Sequence, residues 1–234
     1  MAVTTLLLAT RNVHKTGEIR AILGAGFQFL TLKDFPAAPN VVEDADTFEG
    51  NATKKAVELA KWLAGKHSTF NIQYSIPNFV LADDSGLEVD ALNGAPGVHS
   101  ARFAADDSAK SGNTPDSDNN AKLLRLLKDV PPAKRTARFR CVIALVGVPT
   151  GKIEAASPVC YADEFEARIF DGVCEGRVLF ELHGKNGFGY DPLFVPNGYE
   201  QTFAELGEDV KNKLSHRAKA LMKLKDFFGT HTSP

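Results

Sequence analysis

The fold is decided by the stretch Leu81-Ala82-Asp83-Asp84-Ser85-Gly86-Leu87-Glu88-Val89-Asp90. The apolar run Phe79 to Ala82 predicts a buried strand that ends at the two aspartates, and strand ends are where open α/β sheets hold ligands. Two adjacent carboxylates repel each other, so the pair favours a cation, and hard oxygen ligands suit Mg²⁺ or Mn²⁺. The same residue types are also ordinary in polar turns, and this stretch alone leaves both interpretations open.

The composition predicts one globular domain over residues 1–234. Of the 234 residues, 44% are hydrophobic and 24% are charged, which is enough to bury a substantial core, with room for two lobes. The sequence shows no internal repeat.

Charge, cysteines and hydropathy predict a cytoplasmic protein without nucleic-acid or membrane partners. The net charge is −2 and no long basic stretch occurs. Cys141, Cys160 and Cys174 are far apart and odd in number, which indicates reduced thiols in a cytosolic compartment. Met1 to Thr10 lacks a basic segment and is interpreted as a first strand rather than a signal peptide. No apolar run is long enough to cross a membrane.

The first strand leads into a polar loop and a helix. Val3 to Ala9 is apolar, Thr10 to Lys15 is polar, and a helix with Ile19 and Leu23 on one face is predicted to stop at Gly24. Such a loop can offer N–H groups, a hydroxyl and a lysine to a phosphate at a helix start. It lacks the Walker A spacing, and a plain connecting loop with a solvated Lys15 is the alternative.

Three further regions complete the predicted fold. Thr47 is expected to cap a helix that begins at Phe48. Gly65 to Asn78 and the polar segment Asp106 to Asn120 are expected to be loops. Next come a leucine-rich helix, a long strand over Arg135 to Val146, and further strands over Ile153 to Phe180 with turns at Asp171-Gly172 and Glu175-Gly176.

The last part of the chain carries a glycine-rich aromatic loop and two helix signals. Gly184 to Pro192 has three glycines that permit close backbone approach and two aromatics that could stack on a planar ring; a flexible turn is the alternative. Thr202 to Glu205 fits a capping box. The final helix is predicted around Leu214 to Lys225, with the donor cluster Ser215-His216-Arg217 just inside it.

These motifs combine into one pattern that is far more specific than any of its parts. In this order they resemble the inosine triphosphate pyrophosphatase family, whose members hydrolyse non-standard purine nucleoside triphosphates. The resemblance runs from about Leu6 to Leu224. The motifs are Ala9-Thr10-Arg11-Asn12-Val13-His14-Lys15, Ala82-Asp83-Asp84-Ser85-Gly86-Leu87, Gly94-Ala95-Pro96-Gly97-Val98-His99-Ser100-Ala101-Arg102, Gly187-Phe188-Gly189-Tyr190-Asp191-Pro192 and Ser215-His216-Arg217.

The resemblance implies an α/β fold in which a mixed, elongated central sheet is flanked by helices. It implies two lobes with an active-site cleft between them, a homodimer, and dependence on Mg²⁺, with Mn²⁺ as an alternative ion. The implied substrate is a purine nucleoside triphosphate. Trp62 is a candidate for the dimer surface.

The same resemblance assigns roles to individual residues. Glu43 and Asp84 are the implied metal ligands, and Asp84 is also the implied catalytic base, beside Asp83. Lys55 matches the lysine that reaches the triphosphate. The implied phosphate loop consists of Thr10, Arg11, Asn12, Val13, His14 and Lys15. The implied nucleoside and base contacts are Ser85, Phe188, Gly189, Tyr190, Asp191, Lys211, His216 and Arg217.

Two positions depart from the family pattern. Arg11 stands where small residues are common, and Gly50 precedes Asn51 where many members have a glutamate. The Glu43 assignment therefore depends on alignment across a variable segment, and Asp44 and Asp46 are its alternatives. The segments Gly65 to Asn78 and Ser108 to Asp118 are longer than in a minimal member, and no function is inferred from them.

The predicted activity is Mg²⁺-dependent conversion of ITP, dITP and XTP to the monophosphate and pyrophosphate. Water attacks the α-phosphorus, while Lys15 and Lys55 stabilise the departing pyrophosphate. Two alternatives remain open: a pyrophosphatase for another modified nucleotide, such as a modified pyrimidine triphosphate, and a nucleotide sensor without turnover. The paired carboxylates argue against the sensor, because binding alone does not require them.

Overall fold

The computed structural model describes residues 3–65, 77–105, 112–149 and 165–231. Its strands are β1 (Thr4–Leu8), β2 (Phe27–Thr31), β3 (Phe79–Val89), β4 (Thr136–Gly147), β5 (Ala167–Val178) and β6 (Phe194–Pro196). Its α-helices are α1 (Val13–Leu23), α2 (Phe48–Gly65), α3 (Asp116–Leu126), α4 (Phe203–Leu206), α5 (Glu208–Leu214) and α6 (His216–His231). The predicted features within residues 66–76, 106–111 and 150–164 lie outside the described residues.

The six strands form one mixed sheet in the order β2-β1-β3-β4-β5-β6. β1 pairs in parallel with both β2 and β3, and β5 pairs antiparallel with β6. Helices lie between the strands along the chain, so the predicted mixed α/β class is confirmed. The predicted cleft and the single-domain interpretation stay predictions.

The described chain separates into two compact units. The first unit consists of Met1–Asp84, Val142–Phe170 and Leu221–Pro234. Here β1 buries Leu6, Leu7 and Leu8 completely, as expected for a strand that lies between two parallel neighbours. Helix α2 buries the face that carries Ala52, Ala56, Leu59 and Leu63, which have helical spacing.

The second unit consists of Ser85–Cys141 and Asp171–Ala220. Its core is formed by apolar side chains of β3, α3, β4 and β5 and of the segment 190–203, including Leu87, Leu123, Phe139, Phe194 and Phe203. The rings of Phe139 and Phe194 meet edge to face, with 4.7 Å between their centroids. This is the favoured geometry for aromatic pairs.

Local signals for helix ends are confirmed. Thr47 Oγ1 accepts the Gly50 N–H at 3.0 Å just before the first turn of α2. Thr202 and Glu205 form the predicted capping box at α4. Gly24 ends α1 with φ = 74°, a conformation that glycine adopts without strain.

Strand β3 does not end at Ala82, so the predicted strand end is wrong. The strand continues through both aspartates to Val89 because Leu87 and Val89 are fully buried in the second unit's core. Gly86 permits this course. A Cβ at this position would collide with Ser100 Oγ and the Gly97 carbonyl oxygen.

The turns predicted at Asp171-Gly172 and Glu175-Gly176 are also wrong, because β5 runs unbroken through both. Each glycine instead permits close approach of another backbone, a recognised use of glycine inside strands. A Cβ on Gly172 would overlap the His216 carbonyl oxygen, and one on Gly176 would overlap the Val195 carbonyl oxygen.

Two helix boundaries differ from the prediction. Helix α3 begins at Asp116, within the segment predicted to be a loop. The final predicted helix begins at His216 rather than at Leu214, since Ser215 is extended (φ = −67°, ψ = 165°) between α5 and α6. The donor His216 is therefore the first residue of a new helix.

Candidate functional site

The loop between β1 and α1 is a capped helix start. Asn12 Oδ1 accepts the N–H groups of His14 at 2.9 Å and Lys15 at 3.1 Å, and Thr10 Oγ1 accepts the Asn12 N–H at 3.1 Å. Arg11, Val13 and His14 lie at exposed positions. The helix dipole still leaves partial positive charge here, although the cap already uses two of the N–H groups.

Lys15 forms an ion pair with Asp83 in the first unit. Its Nζ lies 2.5 Å from Asp83 Oδ1. The Asp83 side chain is fully buried, whereas that of Lys15 retains 17% exposure. A buried carboxylate requires such a partner, and Asp83 in turn fixes the direction in which Lys15 extends from α1.

Lys55 lies close to Glu43 and to the backbone of Asp83. It extends from α2, with its Nζ 3.0 Å from Glu43 Oε1, and donates to the Asp83 main-chain oxygen at 3.2 Å. The residue is only 9% exposed. The first unit therefore brings Lys15, Lys55, Glu43 and Asp83 into one cluster.

Asp84 belongs to the same cluster. Burial raises the pKa of its carboxyl, and the nearby Glu43 carboxylate raises it further, whereas Lys15, Lys55 and a hydrogen bond from Asn51 lower it. Desolvation is the largest of these effects. A carboxyl in this environment is a better proton acceptor near neutral pH than an exposed aspartate.

The three acidic residues before α2 that are candidate metal ligands differ in their surroundings. Asp44 forms an exposed ion pair with Lys54, at 2.6 Å, and Asp46 is exposed. Glu43 interacts electrostatically with Asp84. The described geometry therefore favours Glu43 over Asp44 as the companion of Asp84.

The carboxylates of this cluster fit a hard divalent cation that is completed by other ligands. Within the described ranges, no group of three His, Cys, Asp or Glu side chains is placed to enclose a metal ion. Mg²⁺ does not require such a cage, because it commonly uses one or two carboxylates together with substrate phosphates and water. The Asp84 and Glu43 oxygens match that donor set.

A second cluster lies in the second unit, around the loop that precedes β6. Lys211 Nζ lies 2.5 Å from Asp191 Oδ2, and the two side chains are 4% and 2% exposed. The same Nζ lies 4.3 Å from the centroid of the Phe188 ring. Asp191 Oδ2 also accepts the Phe188 N–H at 2.9 Å. One buried carboxylate thus organises the loop and its lysine.

His216 and Arg217 begin α6 beside this loop. His216 stacks on Phe139, with an interplanar angle of 11° and a centroid separation of 4.8 Å. Arg217 is 1% exposed and donates to Ser85 Oγ at 2.8 Å. Its guanidinium carbon lies 6.0 Å from the centroid of the Phe188 ring. The second unit therefore brings together the predicted residues Ser85, Phe188, Asp191, Lys211 and Arg217.

Three residues that contact these clusters were missed by the sequence reasoning. Asn51 hydrogen-bonds Asp84, and Asp116 and Asn120 bond the backbone of Gly189. Asp116 and Asn120 are separated from Gly189 by 73 and 69 residues. Their spacing of four residues places both on one face of a helix, but the sequence predicted a loop over this segment.

A mixed sheet with buried carboxylates opposed by lysines defines an α/β protein whose charges suit an anionic ligand and a cation. The chain belongs to the Ham1 family, whose sequence pattern matches residues 6–227. This confirms the family resemblance drawn from the motifs. No helix in the described parts of the chain is both long and apolar enough to span a membrane.

The chain is similar to named members of that family over nearly its full length. It is 47% identical to a dITP/XTP pyrophosphatase of Desulforamulus reducens, over 93% of this chain and 92% of that protein. It is 45% identical to a dITP/XTP pyrophosphatase of Geobacter sulfurreducens, over 97% of each. The solved structure of a HAM1 protein from Coxiella burnetii superposes with a TM-score of 0.74 at 33% identity, covering 97% of this chain and 99% of that one.

Proposed function

We propose that this protein hydrolyses ITP, dITP and XTP to the nucleoside monophosphate and pyrophosphate. The observation that carries the proposal is the first unit's cluster, in which Lys15 and Lys55 lie beside Asp83, Asp84 and Glu43. Family membership and the names of the two relatives point to the same reaction.

Glu43 and Asp84 would hold Mg²⁺, with Mn²⁺ as the alternative ion. When bound, the ion neutralises phosphate charge and lowers the pKa of a coordinated water. Lys15 and Lys55 would stabilise the negative charge that develops on the departing pyrophosphate. Asp84, the catalytic base that the family resemblance implies, would accept a proton from the attacking water. Asp83 would hold Lys15 in position through their ion pair.

In the proposed reaction, the water oxygen forms a bond to the α-phosphorus and the bond from that phosphorus to the β-bridging oxygen breaks. The pyrophosphate leaves with the bridging oxygen, and the water's two protons pass to Asp84 and to solvent or product. No covalent enzyme intermediate is required, because a single displacement accounts for both products.

The second unit's cluster would select the base. Hypoxanthine and xanthine present a 6-oxo acceptor, whereas adenine presents an amino donor at that position. Lys211, His216 and Arg217 supply donors, so adenine would leave a buried donor unpaired. That mismatch costs roughly 1–3 kcal/mol, or about a ten- to hundredfold preference.

We further propose a cytoplasmic homodimer, in line with the family resemblance and the reduced-thiol interpretation. Trp62 packs edge to face on Phe35, with 6.2 Å between ring centroids. Trp62 is only partly buried in the described chain, which would allow it to contact a partner copy. Light scattering at micromolar concentration tests the dimer; a monomer would contradict it.

A pyrophosphate-release assay across ITP, dITP, XTP, GTP, ATP and modified pyrimidine triphosphates tests the activity. Running the reaction in ¹⁸O-labelled water identifies the bond that is cut. We expect label in IMP and none in pyrophosphate. Accumulation of IDP or label in orthophosphate would contradict attack at the α-phosphorus, and nucleotide binding without any turnover would favour a sensor.

A further inference from the structure

The Gly189 peptide groups are held on both sides by helix α3. The Gly189 N–H donates to Asp116 Oδ2 at 2.6 Å, and the Gly189 carbonyl accepts from Asn120 Nδ2 at 2.9 Å. Asp116 and Asn120 are four residues apart, so they extend from one face of the helix. A single glycine is therefore bonded at both its backbone polar groups by two side chains of one helix.

The Asn120 side chain is oriented for this contact despite a cost. The residue is 4% exposed, and its Oδ1 is buried without a hydrogen-bond partner in the described chain. Leaving a buried acceptor unsatisfied is unfavourable. The amide nevertheless presents its donor to Gly189, because the opposite orientation would place two oxygens against each other.

The loop needs such support because of its backbone conformation. Gly187 and Gly189 have φ values of 78° and 61°, in a region that glycine adopts freely, and glycine also has many competing conformations. A third bond helps: the Tyr190 hydroxyl donates to the Ser100 carbonyl oxygen at 2.9 Å. Together these bonds stabilise the loop conformation that the structure shows.

The orientation of the Gly189 peptide affects the positions of two nearby residues, Phe188 and Asp191. Phe188 precedes Gly189 directly, and its N–H donates to Asp191 Oδ2. Asp191 in turn forms the buried ion pair with Lys211. A rotation of the Gly189 peptide would therefore displace the aromatic ring and disturb the hydrogen bond that sets the carboxylate.

We propose that Asp116 and Asn120 are positioning residues that set the affinity and selectivity for the purine base. They act through the Gly189 peptide rather than by touching the substrate. This inference rests on the proposed function, since it assumes that the second cluster binds the base. A pre-organised site binds its ligand more tightly than one that must first be ordered.

The test uses the full-length chain and the variants Asp116→Ala and Asn120→Asp. The first removes the acceptor for the Gly189 N–H, and the second replaces the donor with a carboxylate that repels the Gly189 carbonyl. Asp118→Asn is the matched control, because Asp118 is also acidic and exposed in the first turn of α3. Asp116→Asn restores a neutral acceptor and should recover part of the effect.

We expect KM for ITP to rise about tenfold in Asp116→Ala and in Asn120→Asp, with kcat changed by less than about threefold. The preference for ITP over ATP should narrow, and the affinity for IMP by calorimetry should fall to match. The affinity for pyrophosphate should be unchanged, and Asp118→Asn should behave like the wild type. A fall in kcat alone, or equal losses for IMP and pyrophosphate, would overturn the proposal.

A second measurement keeps this result separate from the proposed function. Amide hydrogen exchange of the loop peptide that contains Gly189, measured without nucleotide, should accelerate in Asp116→Ala and not in Asp118→Asn. Unchanged exchange would show that α3 does not hold the loop. A wild-type protein that fails to hydrolyse ITP would instead overturn the proposed function while leaving the exchange result to report on the α3 contacts.

Discussion

The first and second units carry ionic clusters of different character. In the first, the two lysines keep some access to solvent and Glu43 is 36% exposed in its side chain. In the second, Lys211, Asp191 and Arg217 are almost fully buried. Partly exposed charges can exchange water for ligand oxygens at small cost, whereas buried charges are fixed by their partners. The first cluster combines buried aspartates with partly exposed charges, in line with the proposed chemistry, whereas the nearly complete burial of the second is in line with the proposed recognition of the base.

The largest expected effect comes from the carboxylate of the first cluster. Asp84→Asn should reduce kcat for ITP at least about a thousandfold, because it removes one metal-binding charge and the proton acceptor together. The near-isosteric change should leave the melting temperature close to that of the wild type. Steady-state kinetics and thermal unfolding measure both.

The matched control for that prediction is Asp44→Asn, which removes an exposed carboxylate from the same unit. We expect its kcat to be unchanged. A folded Asp84→Asn protein with near-normal turnover would remove Asp84 from the proposed mechanism and would also remove the contrast between the two clusters.

Breaking the buried pair of the second cluster should give the next largest effect, this time on folding. Lys211→Met leaves Asp191 as a buried charge without its lysine, which typically costs about 3–5 kcal/mol of unfolding free energy. Urea unfolding measures the loss. Lys213→Met, on an exposed position of the same helix, is the control and should have little effect.

The double variant Lys211→Met with Asp191→Asn sharpens this result. Removing both charges should cost less than the sum of the single changes, because neither partner is then left charged and buried. Strictly additive losses would show that the two residues do not act as a pair.

Replacing Lys55 tests whether the first cluster binds the phosphate groups of the leaving pyrophosphate. Lys55→Met should weaken pyrophosphate binding about tenfold while changing IMP binding much less, because the proposed role of Lys55 is at the leaving group. Calorimetry with each ligand separates the two. Lys54→Met is the adjacent control, and equal losses of pyrophosphate and IMP affinity in Lys55→Met would place the lysine elsewhere.

The smallest expected effect is at an exposed ion pair of the second unit. Arg177 and Glu200 are 2.7 Å apart, with side chains 38% and 92% exposed. Arg177→Met should change the unfolding free energy by less than about 1 kcal/mol, as is usual for surface pairs. A loss as large as that of Lys211→Met would show that burial does not explain the difference between the pairs.

Features set by neighbours in the chain could be predicted from the sequence. The caps at Thr47 and Thr202 and the helix stop at Gly24 depend on contacts within a few residues. These capping signals are local, so a single sequence contains all the information that they require. The mixed α/β class was instead implied by the family resemblance that the order of the motifs carries.

Features set by distant backbone could not be predicted in the same way. Gly172 and Gly176 read as turns, because the sequence does not show that the His216 and Val195 carbonyl groups lie against them. The contacts of Asp116 and Asn120 with Gly189 could not be predicted either, because 73 and 69 residues separate them from it in the chain. In the candidate site, the charged residues were found by type and motif, whereas the contacts that orient them required the fold.

The packing of Gly172 and Gly176 has a consequence for anyone who wishes to make the protein more robust. Replacing glycine by alanine is a common engineering step, since it restricts the unfolded chain. At these two strand positions the added methyl group would overlap a carbonyl oxygen. At Gly17 in α1 and Gly229 in α6, no atom of the described residues outside the adjoining helix backbone lies within 4 Å of such a methyl group. The same substitution is therefore suited to the two helices and unsuited to β5.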